Sequence, residues 1–543
     1  MQKAEILNKQ FSSVFTSETT PAPSLGDSPH PAMSDIEVTD SGVLNLLSSL
    51  NPNKAQGPDC LHPRLLKTLA NEIAPILTAI FQHSLDTGDV PMDWRQGNIT
   101  PIFKKGDKHK PSNYRPVSLT SICSKLIEHI VVSNVRRHLD SHDILAEEQH
   151  GFRAKRSCES QLITFVRELF NKVAGGGQVD AVVLDFSKAF DKVPHARLMS
   201  KLDFHGIRSK THGWVGAFLD KRQQRVVLDG FSSNTTEVLS GVPQGTVLGP
   251  TLFLIFINDL PQYVNSSVRL FADDCVLYRE IRCRQDTVIL QQDLDALHRW
   301  EQLWLMEFNP GKCFVLNITR KRNRMYNSYL LNNTDLQTVE TTTYLGIEIS
   351  NTLNWSPHID KVAKKGNRSL GFVKRNIKTS NTKVKTLAYN SLVRPILEYA
   401  CQVWDPHTEK DIQKLESVQR RAARYVTNRY HNTSSPTEMI SNLKWDSLKQ
   451  RRAKIRLITL YKIIHNLIEI PREQYLLPTT STYQQQSLNF YRPITTTNYL
   501  KYSFFPRTIA QWNSLPYAIK SATRLEGFKT SIFGVSIQDL LKC

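Results

Sequence analysis

The sequence predicts an α+β protein in which a sheet backed by helices on one side precedes a helical C-terminal third. Short extended segments alternate with helical patterns before about residue 355, and helical patterns dominate after it. Charge divides at nearly the same place: residues 1–350 carry 38 basic and 38 acidic side chains, whereas residues 351–543 carry 31 and 12. Such a basic region favours a negatively charged partner, of which a phosphate backbone is the commonest. A solubilising surface is the alternative.

Composition narrows the class of protein. The 543 residues are 40% hydrophobic and 22% charged, as is typical of a globular chain. The longest apolar run near the middle, residues 252–257, is far shorter than the ~20 residues of a membrane span, and the N-terminus has no signal-peptide pattern. Eight cysteines without a C-x-x-C pair argue against a disulfide framework or a zinc knuckle. We therefore expect no membrane partner and a reducing location inside the cell, in the nucleus, the cytoplasm or both.

Local patterns predict the elements in chain order. A short amphipathic helix precedes residues 17–35, whose four prolines and small polar residues predict a linker or poorly ordered leader, so that residues 1–45 form the first unit. Two extended pieces around a Gly/Pro/Asn turn at 106–113 predict a basic hairpin. Further extended segments are expected at 179–186, 225–229 and 268–278, with a helix at 250–260. Later helices are expected at 358–377, 384–404, 412–426 and 447–467.

Three carboxylates form the strongest chemical pattern. Asp185 ends one apolar strand, and Asp273 and Asp274 interrupt another apolar run where a tight hairpin is expected. Crowded carboxylates are costly unless cations neutralise them, and Mg²⁺ prefers oxygen ligands and accompanies phosphate groups. Two such ions about 3.5–4 Å apart activate an attacking hydroxyl and stabilise a leaving oxygen in phosphoryl transfer. For one isolated Asp, a simple turn cap would be the better interpretation.

A glycine-rich segment, SGVPQGTVLGP at residues 240–250, lies between the two acidic sites. Its glycines allow the backbone to approach a nucleotide closely, and Pro250 is suited to the first turn of the helix that follows. By itself this loop-to-helix pattern is weak support for a nucleotide site, but it points in the same direction as the carboxylates.

Taken together, the motifs resemble those of the reverse transcriptases of non-LTR (LINE-type) retrotransposons, and most closely the jockey-like group. The matching segments keep the order and approximate spacing of the family: NPNKAQGPD (51–59), PIFKKGDKHKPSNYRPVSLTS (101–121), EEQHGFRAKRSC (147–158), LDFSKAFDKVPH (184–195), SGVPQGTVLGP (240–250), FADD (271–274), NPGKC (309–313) and YLGIEIS (344–350). RPILEYACQVW (394–404) and TIAQWNSLP (508–516) resemble the segments that follow the polymerase in these elements.

The resemblance implies a right-hand polymerase, with fingers and palm in residues 46–350, a helical thumb in 351–430 and a basic, helical C-terminal extension in 431–543. It implies an RNA-directed DNA polymerase that extends a DNA primer on an RNA template with dNTPs, using two Mg²⁺ ions. Asp185 and Asp273 would bind both ions, with Asp274 in support and the carbonyl of Phe186 as an extra ligand. The basic C-terminal third would bind the template–primer hybrid.

The same resemblance implies roles for further side chains. Phe190 would exclude a 2′-hydroxyl, with an ordinary core phenylalanine as the alternative. Lys312 would protonate the departing pyrophosphate, with a solvated surface lysine as the alternative, and Asp191 belongs to the pattern without a role. Either Lys104 or Lys105 would clamp the triphosphate together with Arg115. Gln244 and Gly245 would touch the templating base pair. Arg153 and Arg156 would meet the template strand, although a salt bridge at a helix start would explain them almost as well.

One departure from the family concerns the endonuclease that such elements usually encode before the polymerase. The NPNKAQGPD segment lies only about 50 residues from the first residue, so we expect a chain that polymerises without nicking its target, with the endonuclease function supplied in trans. Two alternatives stay open at this point. One is a catalytically inactive or domesticated copy that only binds RNA, and the other is an intron-type or retron-type reverse transcriptase.

Overall fold

A computed structural model describes residues 1–431, 433–479 and 488–534. The predicted C-terminal extension therefore lies partly outside the described residues. Before the basic hairpin the helices are α1 (Gln2–Ser12), α2 (Asp40–Ser49), α3 (Pro63–Thr68), α4 (Ala70–Thr87) and α5 (Met92–Arg95). The helices that follow up to residue 304 are α6 (Ile122–Ser141), α7 (Cys158–Ala174), α8 (Ala189–Lys192), α9 (His195–Phe204), α10 (Ser209–Leu219), α11 (Gly249–Phe256) and α12 (Arg284–Trp304).

The strands lie between these helices and before residue 351. They are β1 (Gln96–Phe103), β2 (Tyr114–Leu119), β3 (Gln178–Asp185), β4 (Gln223–Leu228), β5 (Phe231–Ser232), β6 (Thr236–Glu237), β7 (Ser267–Phe271), β8 (Asp274–Ile281), β9 (Phe314–Thr319), β10 (Leu330–Leu331), β11 (Thr334–Asp335), β12 (Gln337–Thr338), β13 (Thr341–Tyr344) and β14 (Ile347–Ser350). The mixed α+β composition that the sequence predicts is confirmed.

The central sheet has the strand order β12-β9-β3-β8-β7. Side chains alternate between its faces, and along β3 both sets are buried: Val179 and Ala181 join one hydrophobic core, whereas Val182 and Leu184 join the other. The prediction of helices on one side only is therefore wrong. Because both faces are covered, β3 reads as a nearly continuous apolar run, which cannot show from sequence how many layers pack on it.

A second sheet carries the predicted basic hairpin. β1 and β2 pair antiparallel, so that Ile102 lies opposite Arg115, and β4 pairs parallel to β1 on the other side. Helix α1, which the sequence predicts, packs against β4; its Asn8 donates to Asn234 O at 2.9 Å. Lys104 and Arg115 of the hairpin line the same cavity as Asp185 at the end of β3.

Residues 17–35 have no regular secondary structure, as expected of a linker, but they lie against the body of the protein. Arg197, buried on α9, donates to Glu18 at 3.0 Å and to Thr20 at 2.8 Å. Met33 N–H donates to Gly206 O at 2.8 Å. The interpretation as a poorly ordered leader is wrong, because these polar contacts hold the segment across α9 in a way that composition does not reveal.

The C-terminal third is helical, as predicted. Its helices are α13 (Ser356–Asn376), α14 (Thr382–Leu392), α15 (Arg394–Glu398), α16 (Cys401–Trp404), α17 (Glu409–Thr427), α18 (Pro436–Asn442), α19 (Leu448–Ile464), α20 (Arg472–Tyr475), α21 (Asn498–Lys501), α22 (Phe504–Asn513), α23 (Tyr517–Lys520) and α24 (Leu525–Gly534).

Within this third, the single helix expected at 384–404 is three helices. Pro395 begins a new helix, and Ala400 adopts a left-handed conformation with φ of +47°. In the part of the chain that the structure describes, no helix is long and apolar enough to cross a membrane.

Candidate active site

The two acidic sites meet at one end of the central sheet. In the antiparallel register of β3 and β8, Asp185 lies directly opposite Asp274. β7 and β8 form a tight hairpin whose turn is Ala272–Asp273, with Ala272 at φ of +51°. The predicted hairpin is confirmed, and it brings carboxylates that are 88 positions apart in the sequence to neighbouring strand ends.

Asp185 is held by the segment around Lys312. Its carbonyl accepts the N–H of Asn309 at 2.8 Å, and its own N–H donates to Cys313 Sγ at 3.5 Å. Lys312, in a short 3-10 turn, donates through Nζ to Asp185 Oδ2 at 2.9 Å. Both side chains of this ion pair keep contact with solvent, Lys312 being 58% and Asp185 42% exposed. The pair can therefore open without disturbing the fold.

Burial and neighbouring negative charge raise the pKa of Asp273 and Asp274. At Asp273 burial is the larger cause of the raised pKa, and the negative charge of Asp185 raises it further. Loss of hydration raises the pKa of Asp274 to about 6, with further contributions from Asp273 and Asp185. Asp274 nevertheless keeps an exposed side chain at the strand end. A cation between these groups would relieve the repulsion.

Basic side chains stand across from the carboxylates. Burial lowers the pKa of Lys104, and the nearby charge of Arg115 lowers it further, while Asp185 acts in the opposite direction. Lys104 therefore interacts electrostatically with the carboxylates. Two cations beside a carboxylate can bind an anion that carries its own metal.

One cavity of about 550 Å³ collects most of the residues that the sequence singled out. Its lining includes Lys104, Lys105, Arg115, Asp185, Phe186, Phe190, Gln244, Gly245, Asp273 and Lys312. Asp274 does not line the cavity itself but follows Asp273, which does. A cavity of this size, lined by carboxylates, cations and aromatic rings, suits a polar ligand such as a nucleotide.

Arg153 and Arg156 do not line this cavity. Arg153 donates to Ala146 O at 2.9 Å, and Arg156 donates to Gln149 O at 3.0 Å and to Glu469 Oε1 at 2.6 Å. The side chain of Arg156 is only 3% exposed. These contacts favour the salt-bridge alternative for Arg156 over contact with a template strand.

Two phenylalanines follow Asp185. Phe186 is buried and stacks on Phe308 with ring centroids 4.2 Å apart, while the main chain beside it is paired through Ser187 N–H and Glu307 O at 2.8 Å. Phe190 stacks on Phe253 at 4.5 Å and meets Phe152 edge-on at 6.4 Å. Phe190 is thereby fixed at the cavity wall by rings on both sides.

Any metal ion at this site would be bound by carboxylate and carbonyl oxygen atoms. Across residues 1–431, 433–479 and 488–534, no group of three or more His, Cys, Asp or Glu side chains is arranged to hold a metal ion. Asp185 instead has the ammonium of Lys312 as its cation. The carboxylate chemistry and the raised pKa of Asp273 and Asp274 suit Mg²⁺, provided that Asp185 exchanges Lys312 for the ion.

Comparison with known proteins supplies the family. Residues 102–349 match the family described as "Reverse transcriptase (RNA-dependent DNA polymerase)". Residues 102–349 belong to the reverse transcriptase family.

Relatives of this reverse transcriptase domain come from retrotransposons. Over 406 residues the chain is 29% identical to "RNA-directed DNA polymerase from mobile element jockey" of Drosophila melanogaster, covering 72% of this chain and 44% of that protein. It is 28% identical over 401 residues to "Probable RNA-directed DNA polymerase from transposon X-element" of the same species, covering 71% and 43%. The resemblance to the jockey-like group is confirmed, and the chain spans less than half the length of these relatives.

The reverse transcriptase domain also uses residues that the sequence analysis left without a role. Gln149 accepts the N–H groups of Gly151 at 2.7 Å and Ala272 at 2.9 Å, which fixes the turn bearing Asp273. Glu128, buried on α6, accepts the N–H groups of Val247 at 2.7 Å and Leu248 at 3.0 Å. The HGF segment gave a signal for the first, whereas a buried Glu in a helical pattern gave none.

Proposed function

We propose that the chain is an RNA-directed DNA polymerase that extends the 3′-hydroxyl of a DNA primer with dNTPs on an RNA template. The observation that carries the proposal is the cavity in which Asp185 and Asp273 face Lys104 and Arg115. Its position within a reverse transcriptase domain supports the same reaction. The central sheet, which carries the carboxylates at one end, would form the palm. The β1–β2 hairpin would belong to the fingers, and residues 351–430 would form the thumb.

The residues would divide the reaction between binding, selection and proton transfer. Asp185, Asp273, Asp274 and the carbonyl of Phe186 would hold two Mg²⁺ ions, which activate the primer hydroxyl and neutralise charge on the phosphates. Lys104 and Arg115 would bind the triphosphate, with Lys105 beside them.

Lys312 starts on Asp185 and would move to the departing pyrophosphate as a proton donor. The side chain of Phe190 would lie under the sugar and select dNTPs. Gln244 and Gly245 would contact the templating base pair.

Primer extension tests this function directly. The purified chain is incubated with an RNA template, a DNA primer, Mg²⁺ and dNTPs, beside Asp185→Asn and Asp273→Asn. Asp295→Asn is the matched control, because Asp295 is an exposed carboxylate on α12 that hydrogen-bonds only within its own helix among the described contacts. Removing a ligand of the reacting groups should lower the extension rate by about 10³-fold or more.

Hybrid affinity separates chemistry from binding. We expect both active-site variants to bind the hybrid as the wild type does. A wild-type chain that binds the hybrid but extends nothing would favour a copy that only binds RNA. Parallel loss of binding and extension would mean that the carboxylates are structural.

A further inference from the structure

Asp191 lies at the edge of the cavity, six residues after Asp185, and the proposed reaction gives it no task. Its Oδ1 accepts a hydrogen bond from Gln244 Nε2 at 2.9 Å. Burial raises the pKa of Asp191, and the hydrogen bond from Gln244 and the charges of Lys188 and Arg115 lower it. Asp191 is partly buried, so its carboxylate loses hydration, and the hydrogen bond from Gln244 offsets part of that cost.

The main chain at Gln244 is already fixed by other contacts. Gln244 O accepts Ser118 N–H from β2 at 2.8 Å, and Gly245 has φ of +110°. A Cβ at Gly245 would lie 2.5 Å from Ser118 O, so the loop packs against the strand as closely as glycine allows. The remaining freedom at Gln244 is therefore the orientation of its side chain.

The loop is tied to Asp191 at its other end as well. Ser240 Oγ donates to Asp191 O at 2.9 Å, and Val242 N–H donates to Phe190 O at 2.7 Å. Gly241, with φ of +91°, approaches Asp191 O so closely that a Cβ would lie 2.7 Å away. The segment that carries Phe190 is thus hydrogen-bonded directly to the loop that carries Gln244.

An amide has two different ends, and Asp191 decides which end is available. An ionised carboxylate only accepts hydrogen bonds, so the NH₂ group of Gln244 must face it. The amide oxygen and the second N–H are then left for the cavity, which Gln244 lines. Without an acceptor at position 191 the amide could turn over and present a donor where it now presents an acceptor.

We propose that Asp191 is a positioning residue that fixes the amide of Gln244 so that its oxygen faces the incoming nucleotide and the base it pairs with. The inference rests on the proposed function and adds a determinant of nucleotide binding to it. Asp191 acts through Gln244 and does not itself touch the substrate. Loss of Asp191 therefore weakens nucleotide binding and leaves binding of the hybrid unchanged.

A pair of variants of similar size tests the role. Asp191→Leu removes the acceptor, whereas Asp191→Asn keeps an oxygen that can accept from Gln244. The affinity of the next correct dNTP is measured on a hybrid whose primer ends in a dideoxynucleotide, together with KM and kcat on an ordinary primer. Hydrogen bonds to charged groups are stronger than those between neutral groups, so we expect Asp191→Leu to weaken dNTP binding by about tenfold or more. Asp191→Asn should recover part of that loss.

A double-mutant cycle shows whether the effect passes through Gln244. Gln244→Ala alone should weaken dNTP binding, and Asp191→Leu added to it should cause little further loss. Asp293→Ala is the structural control, because Asp293 is a buried carboxylate on α12 that accepts Ser266 N–H at 2.8 Å and does not line the cavity. It should lower the melting temperature without changing dNTP affinity.

The outcomes separate this inference from the proposed function. Additive losses in the cycle, or a dNTP affinity that Asp191→Leu leaves unchanged, would overturn the role of Asp191 while the wild type still extends primers. A wild type that extends nothing would overturn both. If Asp191→Leu does not fold, the cycle is run with Asp191→Asn, and a dNTP affinity that falls equally with and without Gln244 would contradict the inference.

Discussion

The cavity and a second charged cluster, around Asp405, use similar side chains in opposite ways. In the cavity, Asp185 and Lys312 are 42% and 58% exposed, and neighbouring carboxylates repel each other. Around Asp405, whose side chain is 4% exposed, Arg452 donates to Oδ1 at 2.5 Å and Arg507 donates to the main-chain carbonyl oxygen at 3.1 Å. Arg456 and Arg507 also form ion pairs with Oδ2. One set of charges can exchange partners, and the other cannot.

The difference teaches how to interpret the basic C-terminal third. From sequence, its 31 Lys and Arg residues predict a surface for nucleic acid. Several of them are instead buried, namely Lys385, Arg452, Lys454, Arg456 and Lys520. A net positive charge counts residues wherever they lie, so part of this excess is internal structure and only the remainder can meet a phosphate backbone.

Removing the acidic partner in each place should give the largest contrast in stability. Asp405→Ala leaves two buried guanidinium groups, of Arg452 and Arg456, and the partly buried one of Arg507 without their carboxylate, so we expect the free energy of unfolding to fall by about 3–5 kcal/mol. Asp185→Ala breaks a partly exposed ion pair and relieves repulsion, so its cost should stay below about 1 kcal/mol. Denaturant unfolding measures both.

A second substitution at Asp405 sharpens this test. Arg456→Met in the Asp405→Ala background removes one uncompensated charge and should recover part of the lost stability. Equal losses for Asp185→Ala and Asp405→Ala would show that exposure does not distinguish the two clusters.

Acid should destabilise the helical C-terminal third through protonation of His358, which is buried on α13. Burial lowers the pKa of His358 to about 4, while Glu348 raises it and Lys361 lowers it. Its Nδ1 accepts Glu348 N–H at 3.2 Å, and its ring meets Trp404 edge-on at 5.0 Å. The unfolded chain takes up this proton near pH 6.5. Stability is therefore complete above about pH 6.5 and decreases as the pH falls toward 4, by about 3 kcal/mol from this group.

Melting temperatures between pH 7 and pH 4.5 measure the effect of His358. His358→Gln should flatten part of the acid decline, whereas His83→Gln, at an exposed position on α4, should leave it as in the wild type. Identical pH dependence in the wild type and His358→Gln would contradict the assignment.

In the open cavity, Phe190 should control sugar selection more than stability. Phe190→Ala removes the ring that lies between Phe152 and Phe253, and we expect incorporation of ribonucleotides relative to deoxyribonucleotides to rise by about tenfold. Single-nucleotide incorporation with matched dNTP and rNTP measures the ratio. Phe152→Ala is the control for a loosened ring cluster; an equal rise there would assign the effect to packing and not to Phe190.

Sequence reasoning succeeded where the signal is local. The hairpin at Asp273 follows from turn residues inside an apolar run, and the glycine-rich loop follows from residues that can adopt positive φ, such as Gly245. Chain order and family motifs then placed Lys104, Arg115 and Asp185 together. The roles that were missed, at Glu128 and Gln149, depend on hydrogen bonds to main-chain N–H groups of Val247 and Ala272, which lie more than 100 positions away in the sequence. For Glu128 no local pattern indicates such a contact.

The ion pairs of Arg156 and Arg452 likewise depend on contacts between distant parts of the chain. Arg156 finds its carboxylate 313 positions further along the chain, and Arg452 finds Asp405 only because α16 packs on α19. A basic residue in a motif is read as facing the ligand, whereas its exposure is decided by tertiary contacts that the pattern does not contain.

Arg156 gives the smallest expected effect and the finest test of the comparison. Although it belongs to a reverse transcriptase motif, its side chain is 3% exposed and forms an ion pair with Glu469 at 2.6 Å, so it resembles the buried arginines around Asp405. Arg156→Gln should lower stability by about 1–2 kcal/mol and change hybrid affinity by less than about twofold, because the side chain is not available to a phosphate. Glu469→Gln should resemble it, whereas Lys104→Gln should weaken substrate binding at nearly unchanged stability. The slope of log affinity against log salt concentration reports how many counterions are released on binding. If Arg156→Gln lowered that number by about one, Arg156 would contact the template, and its ion pair with Glu469 would have to break when nucleic acid binds.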